Sequence, residues 1–340
     1  MPVHARQPYR DRGATVLAAA GVLVLALAAG VSVDAAHLVS QVERIQIPAA
    51  TAQQAGETWV IVGSDSRAAT PDGPDYYGTD RVDGPTTVSA AGAAAAAGGG
   101  EDQGLGNADL ILVVQVPASR DQAATLLAVP RNLLVNTVDG SERLTVTLSQ
   151  GADRFAAAMC QGLGVPVDHL VVVTMQGLAG LVDALGGLTM TFDAPLIDPA
   201  AHLSLPGTGT YLLSGKEVVA LVRARGADAA TAASQAAETA RTARGGLVAA
   251  KLAEQAQAVS GNWLTARRLV VAGAAGVAVD QGTNLFELAR TLGRIEGPAQ
   301  VLVTKESSQE LVELAGQETF EQLEAMGYHL AGCSLEQTDG

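Results

Sequence analysis

Short apolar segments rich in β-branched residues recur along this chain, separated by polar or glycine-containing connections. Residues 58–62, 109–116 and 124–129 have the composition of strands. The second of them is apolar over most of its length, as in a strand that is buried on both faces. Its connection to the third is short, which indicates that these two strands are antiparallel neighbours.

Segments of helical composition alternate with further strands in the rest of the chain. The predicted helices are 154–163, 175–185, 229–258 (interrupted at the paired glycines 245–246) and 285–295. The further predicted strands are 170–174, 188–192, 269–279 and 301–304. This alternation predicts an α/β fold, with a central mixed β-sheet flanked by helices.

The N-terminal region has the pattern of a membrane anchor. Residues 13–33 carry no charge, and Arg6, Arg10 and Arg12 precede them. Such a segment is long enough to cross a bilayer as one helix, and the positive-inside rule places the N-terminus in the cytoplasm and the main domain outside. A cleaved signal peptide is the alternative, because small residues follow the segment.

These patterns divide the chain into regions. We predict a cytoplasmic tail at 1–12, a transmembrane anchor at 13–35, a polar stalk at 36–57 and an extracytoplasmic domain at 58–305. Residues 306–340 are predicted to be a C-terminal tail. Within the domain, residues 68–106 are rich in Gly, Ala, Pro and Asp without an apolar period, which is typical of a disordered insertion.

Charge and composition exclude several classes of function. The net charge of −14 argues against general nucleic-acid binding, which requires a basic surface. The sequence contains no P-loop or dinucleotide-binding motif, and its five histidines are scattered, so neither nucleotide nor zinc binding is indicated. An anion site in this chain must therefore be a local cluster of arginines.

The two cysteines, Cys160 and Cys333, lie far apart in the sequence. Outside the membrane a disulfide between them is permitted, and two free thiols are the alternative. Neither has a metal-ligand partner at a suitable spacing.

Residues 214–226, SGKEVVALVRARG, combine a short apolar helix with two arginines. Ser214 and Glu217 form a capping box at its start, and Gly226 occupies the place of a C-cap glycine. Arg223 and Arg225 share a face only if the chain has left the helix, and two guanidinium groups on one face suit bidentate capture of a phosphate or pyrophosphate. The alternative is that they merely solvate the end of the helix.

Polar residues also stand at the ends of the first three predicted strands, where open α/β sheets bind ligands. Asp65 and Arg67 follow the first strand, Asp109 opens the second, and Arg131 follows the third. If the second and third strands are antiparallel neighbours, Asp109 and Arg131 lie side by side.

Taken in order, these motifs resemble the LytR–CpsA–Psr family of cell-envelope proteins. The motifs are GSDSR (63–67), VPR (129–131), GVPVDHLVVV (164–173), LVDALGGLTM (181–190), LLSGKEVVALVRAR (212–225) and an RxxR at 241–244. The resemblance spans residues 58–255. It implies a transferase that moves a glycopolymer from a polyprenyl-phosphate or polyprenyl-pyrophosphate carrier onto peptidoglycan at the cytoplasmic membrane. It also implies that Mg²⁺ assists and that the lipid tail lies in an apolar tunnel.

The resemblance assigns roles to individual residues. Asp65, Asp109 and Arg131 match catalytic positions, and the two aspartates are also the implied Mg²⁺ ligands. The implied phosphate-binding residues are Arg67, Arg223, Arg225, Arg241 and Arg244. Arginine suits this role because its planar fork pairs with two phosphate oxygens and stays charged.

Four positions depart from the family pattern. Asn107 replaces an arginine, Asn132 a carboxylate, Gly245 a glutamine and Thr145 an asparagine. Three hypotheses follow: an active transferase, a catalytically degenerate protein that binds the lipid pyrophosphate or regulates its relatives, and a structural envelope protein without a ligand. Convergence of the arginines around one tunnel mouth favours a ligand, whereas outward dispersal excludes one.

Overall fold

The computed structural model describes most of the chain from residue 42 onward. The described residues are 42–52, 56–66, 105–119, 121–137, 140–226, 235–259, 276–284, 299–307 and 312–335, with isolated positions between 265 and 295. The predicted anchor at 13–35 and almost all of the predicted insertion, together with Arg67, lie outside them. In the part that is described, no helix has the length and apolar character needed to span a membrane.

The strands and helices follow the alternation that the sequence predicts. The described strands are β1 (Glu43–Ile45), β2 (Ala50–Ala52), β3 (Gly56–Ser64), β4 (Ala108–Pro117), β5 (Thr125–Val129), β6 (Leu133–Thr137), β7 (Gly140–Arg143), β8 (His169–Thr174), β9 (Leu188–Phe192), β10 (Leu196–Asp198), β11 (Leu203–Leu205), β12 (Gly209–Leu213), β13 (Val277–Asp280), β14 (Gln300–Val301), β15 (Lys305–Glu306), β16 (Glu313–Leu314) and β17 (Cys333–Leu335). The described helices are α1 (Leu144–Thr147), α2 (Ala152–Leu163), α3 (Met175–Ala184), α4 (Gly215–Arg223), α5 (Gln235–Val259) and α6 (Gln317–Ala325).

A seven-stranded mixed sheet forms the centre of the fold, in the order β1-β13-β8-β3-β4-β5-β14. β3 is parallel to β8 and antiparallel to β4, and β4 is antiparallel to β5, as the short connection between them predicts. Smaller sheets pair β12 with β9, β10 with β11, β17 with β2, and β15, β16, β6 and β7 with one another. The predicted α/β fold with a central mixed sheet is therefore confirmed.

Both faces of the central sheet are buried, which explains the near-continuous apolar runs. Along β3, Val60 and Val62 contribute to one core with Phe155 of α2, whereas Trp59 and Ile61 contribute to a second core on the opposite face. Side chains alternate across a strand, so a strand that is covered on both faces is apolar at every position. A third core packs α3, α4 and α5 against the small β-hairpins.

The domain extends further at both ends than the sequence analysis predicts. The predicted stalk at 36–57 contains β1, which pairs in parallel with β13, and β2, which pairs with β17. The predicted tail at 306–340 contains β16, α6 and β17, and a disulfide joins Cys333 to Cys160 in α2. These strands have only two or three residues each, which is too short for a period of alternation to be recognised.

Three local predictions are wrong. α5 runs through positions 245 and 246 without a break, because packing outweighs the roughly 1 kcal/mol that each glycine costs a helix. The strand predicted at 269–279 begins only at Val277, and residues 268–269 and 271–272 are helical. Gly226 is not the cap of α4, because the helix already ends at Arg223 and the extended Ala224 is the C-cap.

Candidate functional site

An apolar cleft lies between the central sheet and the three helices of the third core. Its floor includes Ile61, Leu112 and Val277 of the sheet, and its walls include Leu178 of α3, Val222 of α4 and Leu252 of α5. Its empty volume is about 990 Å³, counted together with the solvent at its open end. A cleft with an almost entirely aliphatic lining suits an unbranched or isoprenoid hydrocarbon chain.

The charged and hydroxyl side chains that line the cleft lie at one edge of the sheet, and helices supply two of them. Ser64 ends β3, Asp109 is the second residue of β4, Arg223 ends α4, and Arg241 lies in the first half of α5. This is the edge where the parallel strands β3 and β8 end, the place at which such sheets bind ligands. The cleft therefore combines an apolar interior with a charged rim.

Asp109 and Arg131 lie side by side, as the antiparallel arrangement of β4 and β5 predicts. Arg131 Nη1 donates to Asp109 Oδ1 at 2.7 Å, and Arg241 Nη2 lies 2.7 Å from Asp109 Oδ2. Glu238 completes the group, since its Oε1 accepts from Arg131 Nε at 3.1 Å and from Arg241 Nη1 at 3.2 Å. We call these four residues the charge ring.

Three members of the charge ring are almost completely buried, the Asp109 side chain is 17% exposed, and both carboxyl groups are held ionised. The exposed fractions are 7% for Arg131, 4% for Glu238 and 5% for Arg241. Burial acts to raise the pKa of Asp109, but the positive charges of Arg241, Arg131 and Arg223 outweigh it and hold that pKa below its ordinary value. The pKa of Glu238 is lowered in the same way, with burial opposed by Arg241 and Arg131.

The end of α4 presents Arg223 and Arg225 in the way that their spacing predicts. The capping box of Ser214 and Glu217 is present, α4 ends at Arg223, and the chain then becomes extended at Ala224. Asp198, which is 1% exposed, holds this extended turn, because its Oδ2 accepts from the backbone N–H groups of Arg225 at 2.7 Å and Gly226 at 3.1 Å. The Arg225 side chain faces the ring, with its Nε 3.7 Å from Glu238 Oε2.

Arg244 joins α5 to the same turn. Its Nη2 donates to the backbone carbonyl of Ala224, which lies between Arg223 and Arg225. Burial lowers the pKa of Arg244, and the neighbouring charge of Arg241 lowers it further. Two buried donors, Arg241 Nε and Arg244 Nε, have no hydrogen-bond partner in the described part of the chain. An unpaired buried donor costs about 1–3 kcal/mol.

Asp65 lies at the same edge, beyond the end of β3. Its Oδ1 accepts from the backbone N–H of Asn107 at 2.5 Å, and its Oδ2 accepts from Asn107 Nδ2 at 3.0 Å. Gly106 has a φ of +68°, and a Cβ there would lie 2.7 Å from Asp65 Oδ1, so only glycine allows this close approach. Asn107, in the place of a family arginine, thus orients the Asp65 carboxylate.

Asp65 and Asp109, the Mg²⁺ ligands that the resemblance implies, both have partners within the chain. Both oxygens of Asp109 pair with guanidinium groups, and both oxygens of Asp65 accept hydrogen bonds from Asn107. Among the described residues, no three His, Cys, Asp or Glu side chains lie close enough to hold a metal ion. Mg²⁺ is usually bound by one or two carboxylates together with waters and substrate phosphates, so its binding by Asp65 and Asp109 stays a prediction.

The other three departures from the family pattern, Asn132, Thr145 and Gly245, meet different surroundings. Asn132 is 1% exposed, and neither atom of its amide has a partner in the described structure. The Thr145 hydroxyl donates to the carbonyl of Ala108 at 2.9 Å. A Cβ on Gly245 would lie 2.8 Å from Leu110 Cδ1, so the Leu110 side chain occupies the space of the missing glutamine.

The structure thus brings together Asp109, Arg131, Arg223, Arg225, Arg241 and Arg244 and places Asp65 at the same edge, while Arg67 falls outside the described residues. Sequence reasoning missed Glu238 and Asp198. Glu238 stands three residues before Arg241, and this i,i+3 spacing of opposite charges on a helix is a signal that could have identified it. Asp198 also accepts from the backbone N–H groups of Ala200 and Ala201, but no local pattern marks its contact with the distant turn at Arg225 and Gly226.

Comparison with known proteins agrees with this architecture. The family model described as the LytR_cpsA_psr family matches residues 40–291. No curated protein matches the chain in sequence.

Two solved structures illustrate the shared fold. A LytR-Csp2A-Psr enzyme from Actinomyces oris superimposes with a TM-score of 0.66 at 23% identity, over 87% of this chain and 99% of that one. TagV of B. subtilis superimposes with a TM-score of 0.54 at 14% identity, over 82% of this chain and 98% of that one. The family match covers most of the chain and includes every element that builds the charged rim, and the chain therefore belongs to the LytR–CpsA–Psr family.

Proposed function

We propose that this protein transfers a glycopolymer from a polyprenyl-phosphate or polyprenyl-pyrophosphate carrier onto peptidoglycan. The observation that carries the proposal is the apolar cleft whose rim bears Asp109, Arg223 and Arg241. An isoprenoid tail matches the aliphatic interior, and its phosphate groups match an arginine-rich rim. A related structure, TagT bound to LI-WTA, superimposes with a TM-score of 0.52 at 16% identity and covers 82% of this chain and 92% of that one. Its ligand supports a glycopolymer substrate of the same class.

The reaction that fits this rim is a phosphoryl transfer. With the polyprenyl-pyrophosphate carrier, an acceptor hydroxyl of peptidoglycan forms a new O–P bond to the sugar-bearing phosphorus, the P–O bond of the pyrophosphate bridge breaks, and the polyprenyl phosphate leaves. Arg223 and Arg241, which line the cleft, together with Arg225 and Arg244 would neutralise the phosphate oxygens, on which negative charge is spread in the transition state. Asp65, which Asn107 orients, would accept the proton of the hydroxyl. No step in this scheme passes through Mg²⁺.

The location that we propose is the outer face of the cytoplasmic membrane, with residues 13–35 as the anchor. The disulfide between Cys160 and Cys333 supports this placement, because disulfides persist in oxidising compartments outside the cytoplasm.

The proposal is tested with the full-length chain in detergent, a polyprenyl-pyrophosphate-linked oligosaccharide and peptidoglycan fragments. Release of polyprenyl phosphate and thermal stabilisation are followed together, with and without EDTA, which reports the Mg²⁺ dependence that the family resemblance implies. We expect release by the wild type and a 10²- to 10³-fold lower rate for Arg223→Ala, the usual loss when one transition-state donor is removed. The control is Arg268→Ala, which removes an exposed arginine.

A second function, binding of the carrier without turnover, is favoured by one set of observations. Asn107, Asn132 and Gly245 replace groups that the family uses, and the Asn132 amide is sealed from solvent without a partner. Stabilisation by the lipid without release would establish this second function. Absence of both signals would contradict both ligand-based functions and leave the structural hypothesis, which the convergence of the arginines opposes.

A further inference from the structure

Glu238 is the one member of the charge ring to which neither the family resemblance nor the proposed reaction assigns a role. It lies in the first turn of α5 and is 4% exposed, although a buried carboxylate next to a phosphate site would repel the ligand. A repulsive group in such a place needs a compensating role. Its contacts indicate what that role is.

The two carboxylates of the ring hold both guanidinium groups from different sides. Asp109 uses a separate oxygen for each arginine, and Glu238 contacts both through Oε1. Each guanidinium is therefore fixed at two of its nitrogens, one toward Asp109 and one toward Glu238. A planar group that is held at two corners cannot rotate about its long axis without breaking an ion pair.

The formal charges of the ring cancel, because two arginines face two carboxylates. The other arginines of the rim, Arg223, Arg225 and Arg244, lie outside the ring and are only partly buried. The charge ring is thus a rigid group without net charge, next to a positively charged rim. Preorganised charges of this kind favour a transition state, because they need no reorganisation while the reaction proceeds.

We propose that Glu238 is a positioning residue that fixes Arg131 and Arg241 for catalysis and weakens binding of the ground-state anion. This inference rests on the proposed transferase function. Glu238→Gln keeps the shape of the side chain but leaves the ring with one net positive charge. The anion should then bind more tightly, while the two arginines lose the orientation that serves the transition state.

The experiment separates these two effects in the full-length protein. Steady-state kinetics with the polyprenyl-pyrophosphate-linked oligosaccharide give kcat and KM, and calorimetry with inorganic pyrophosphate gives Kd, well below the unfolding temperature of each variant. For Glu238→Gln we expect a 10- to 100-fold lower kcat together with a several-fold lower Kd for pyrophosphate. Glu238→Asp, which keeps the charge, should recover part of kcat and return Kd toward the wild-type value.

The matched control is Glu254→Gln on the same helix, where Glu254 is exposed and paired with Lys251 at 2.8 Å. It should leave kcat, KM and Kd unchanged. A merely structural role of Glu238 would lower kcat and weaken pyrophosphate binding together, and that result would overturn the inference. An unchanged kcat in Glu238→Gln would overturn it as well.

Failure of the proposed function gives a different pattern. If the wild type shows no turnover, the transferase assignment and the catalytic part of the inference both fail. Tighter pyrophosphate binding by Glu238→Gln would still establish that Glu238 opposes anion binding, whereas weaker or unchanged binding would remove that part too.

Discussion

Individual residues at this site differ in how well the surrounding sequence predicts their position in the fold. Asp109 and Arg131 could be placed together from the sequence, because antiparallel pairing of adjacent strands brings their ends to one edge. Glu238 and Asp198 could not be placed in the same way. Glu238 contacts Arg131 across 107 residues and Asp198 contacts Arg225 across 27, and only the packing of α5 and α4 against the sheet brings these pairs together.

His169 shows a residue-scale interaction at the other end of β8. Its ring stacks on Trp59 with the centroids 4.0 Å apart, and its Nδ1 lies 3.6 Å from Asp280 Oδ1. Burial acts to lower the pKa of His169, but the hydrogen bond and charge of Asp280, with Glu57 and Asp168 nearby, outweigh it and raise that pKa. For Asp280, burial is outweighed by the bonds from His169, Thr283 and Leu170, so its pKa is lowered.

The sign of each shift sets the pH range in which this pair stabilises the fold. The contribution of His169 is complete below its unfolded pKa of about 6.5 and is lost as the pH rises through the raised pKa. The contribution of Asp280 is lost only as the pH falls through its lowered pKa. We expect His169→Phe, which keeps the stacking, to lower the unfolding temperature more at about pH 5.5 than at about pH 9. Thermal unfolding across pH measures this, with the exposed His329→Phe as the control, and a pH-independent difference would contradict it.

At the scale of an element, two glycines of α3 differ in the space that surrounds them. A Cβ on Gly177 would lie 2.3 Å from the carbonyl oxygen of Gly276, the residue just before β13. A Cβ on Gly180, one turn later, would make an ordinary 3.4 Å contact with the Ala272 side chain. The first glycine lets the helix approach the sheet, and the second has no such function.

These two positions give a matched prediction on one helix. Gly177→Ala should reduce the free energy of unfolding by about 1–3 kcal/mol, because the backbone of Gly276 has to move. Gly180→Ala should increase it by about 0.5–1 kcal/mol, because alanine loses less conformational freedom in a helix. Urea denaturation of both variants measures the difference, and equal effects would show that the close approach is relaxed in solution.

At the scale of the whole molecule, the disulfide between Cys160 and Cys333 joins α2 to the final strand across 173 residues. β17 pairs with β2, so this bond also holds the first and last parts of the domain together. The sequence alone allowed either a disulfide or two free thiols. Which state forms depends on the distance between the two residues in the folded protein.

Loss of this bond has a predictable cost. Closing so long a loop restricts the unfolded chain, and the double variant Cys160→Ala/Cys333→Ala should lose about 3–5 kcal/mol of stability. Denaturant unfolding measures the loss, and the wild type in dithiothreitol should reach the same midpoint as the double variant. If reduction leaves the wild-type midpoint unchanged, the bond does not constrain the unfolded state in the expected way.

The sequence by itself determined the α/β class, the central strands, the capping box of α4 and most of the arginines at the rim. These features depend on local periodicity, on turn chemistry and on the order of neighbouring strands. Residues that are close together in the sequence determine all three. Only the tertiary structure decided the edge strands, the continuity of α5, the closure of the disulfide, and the ring in which Glu238 joins Asp109 to Arg131 and Arg241. These depend on contacts between residues far apart in the chain, and the energy of such contacts exists only once the elements have packed.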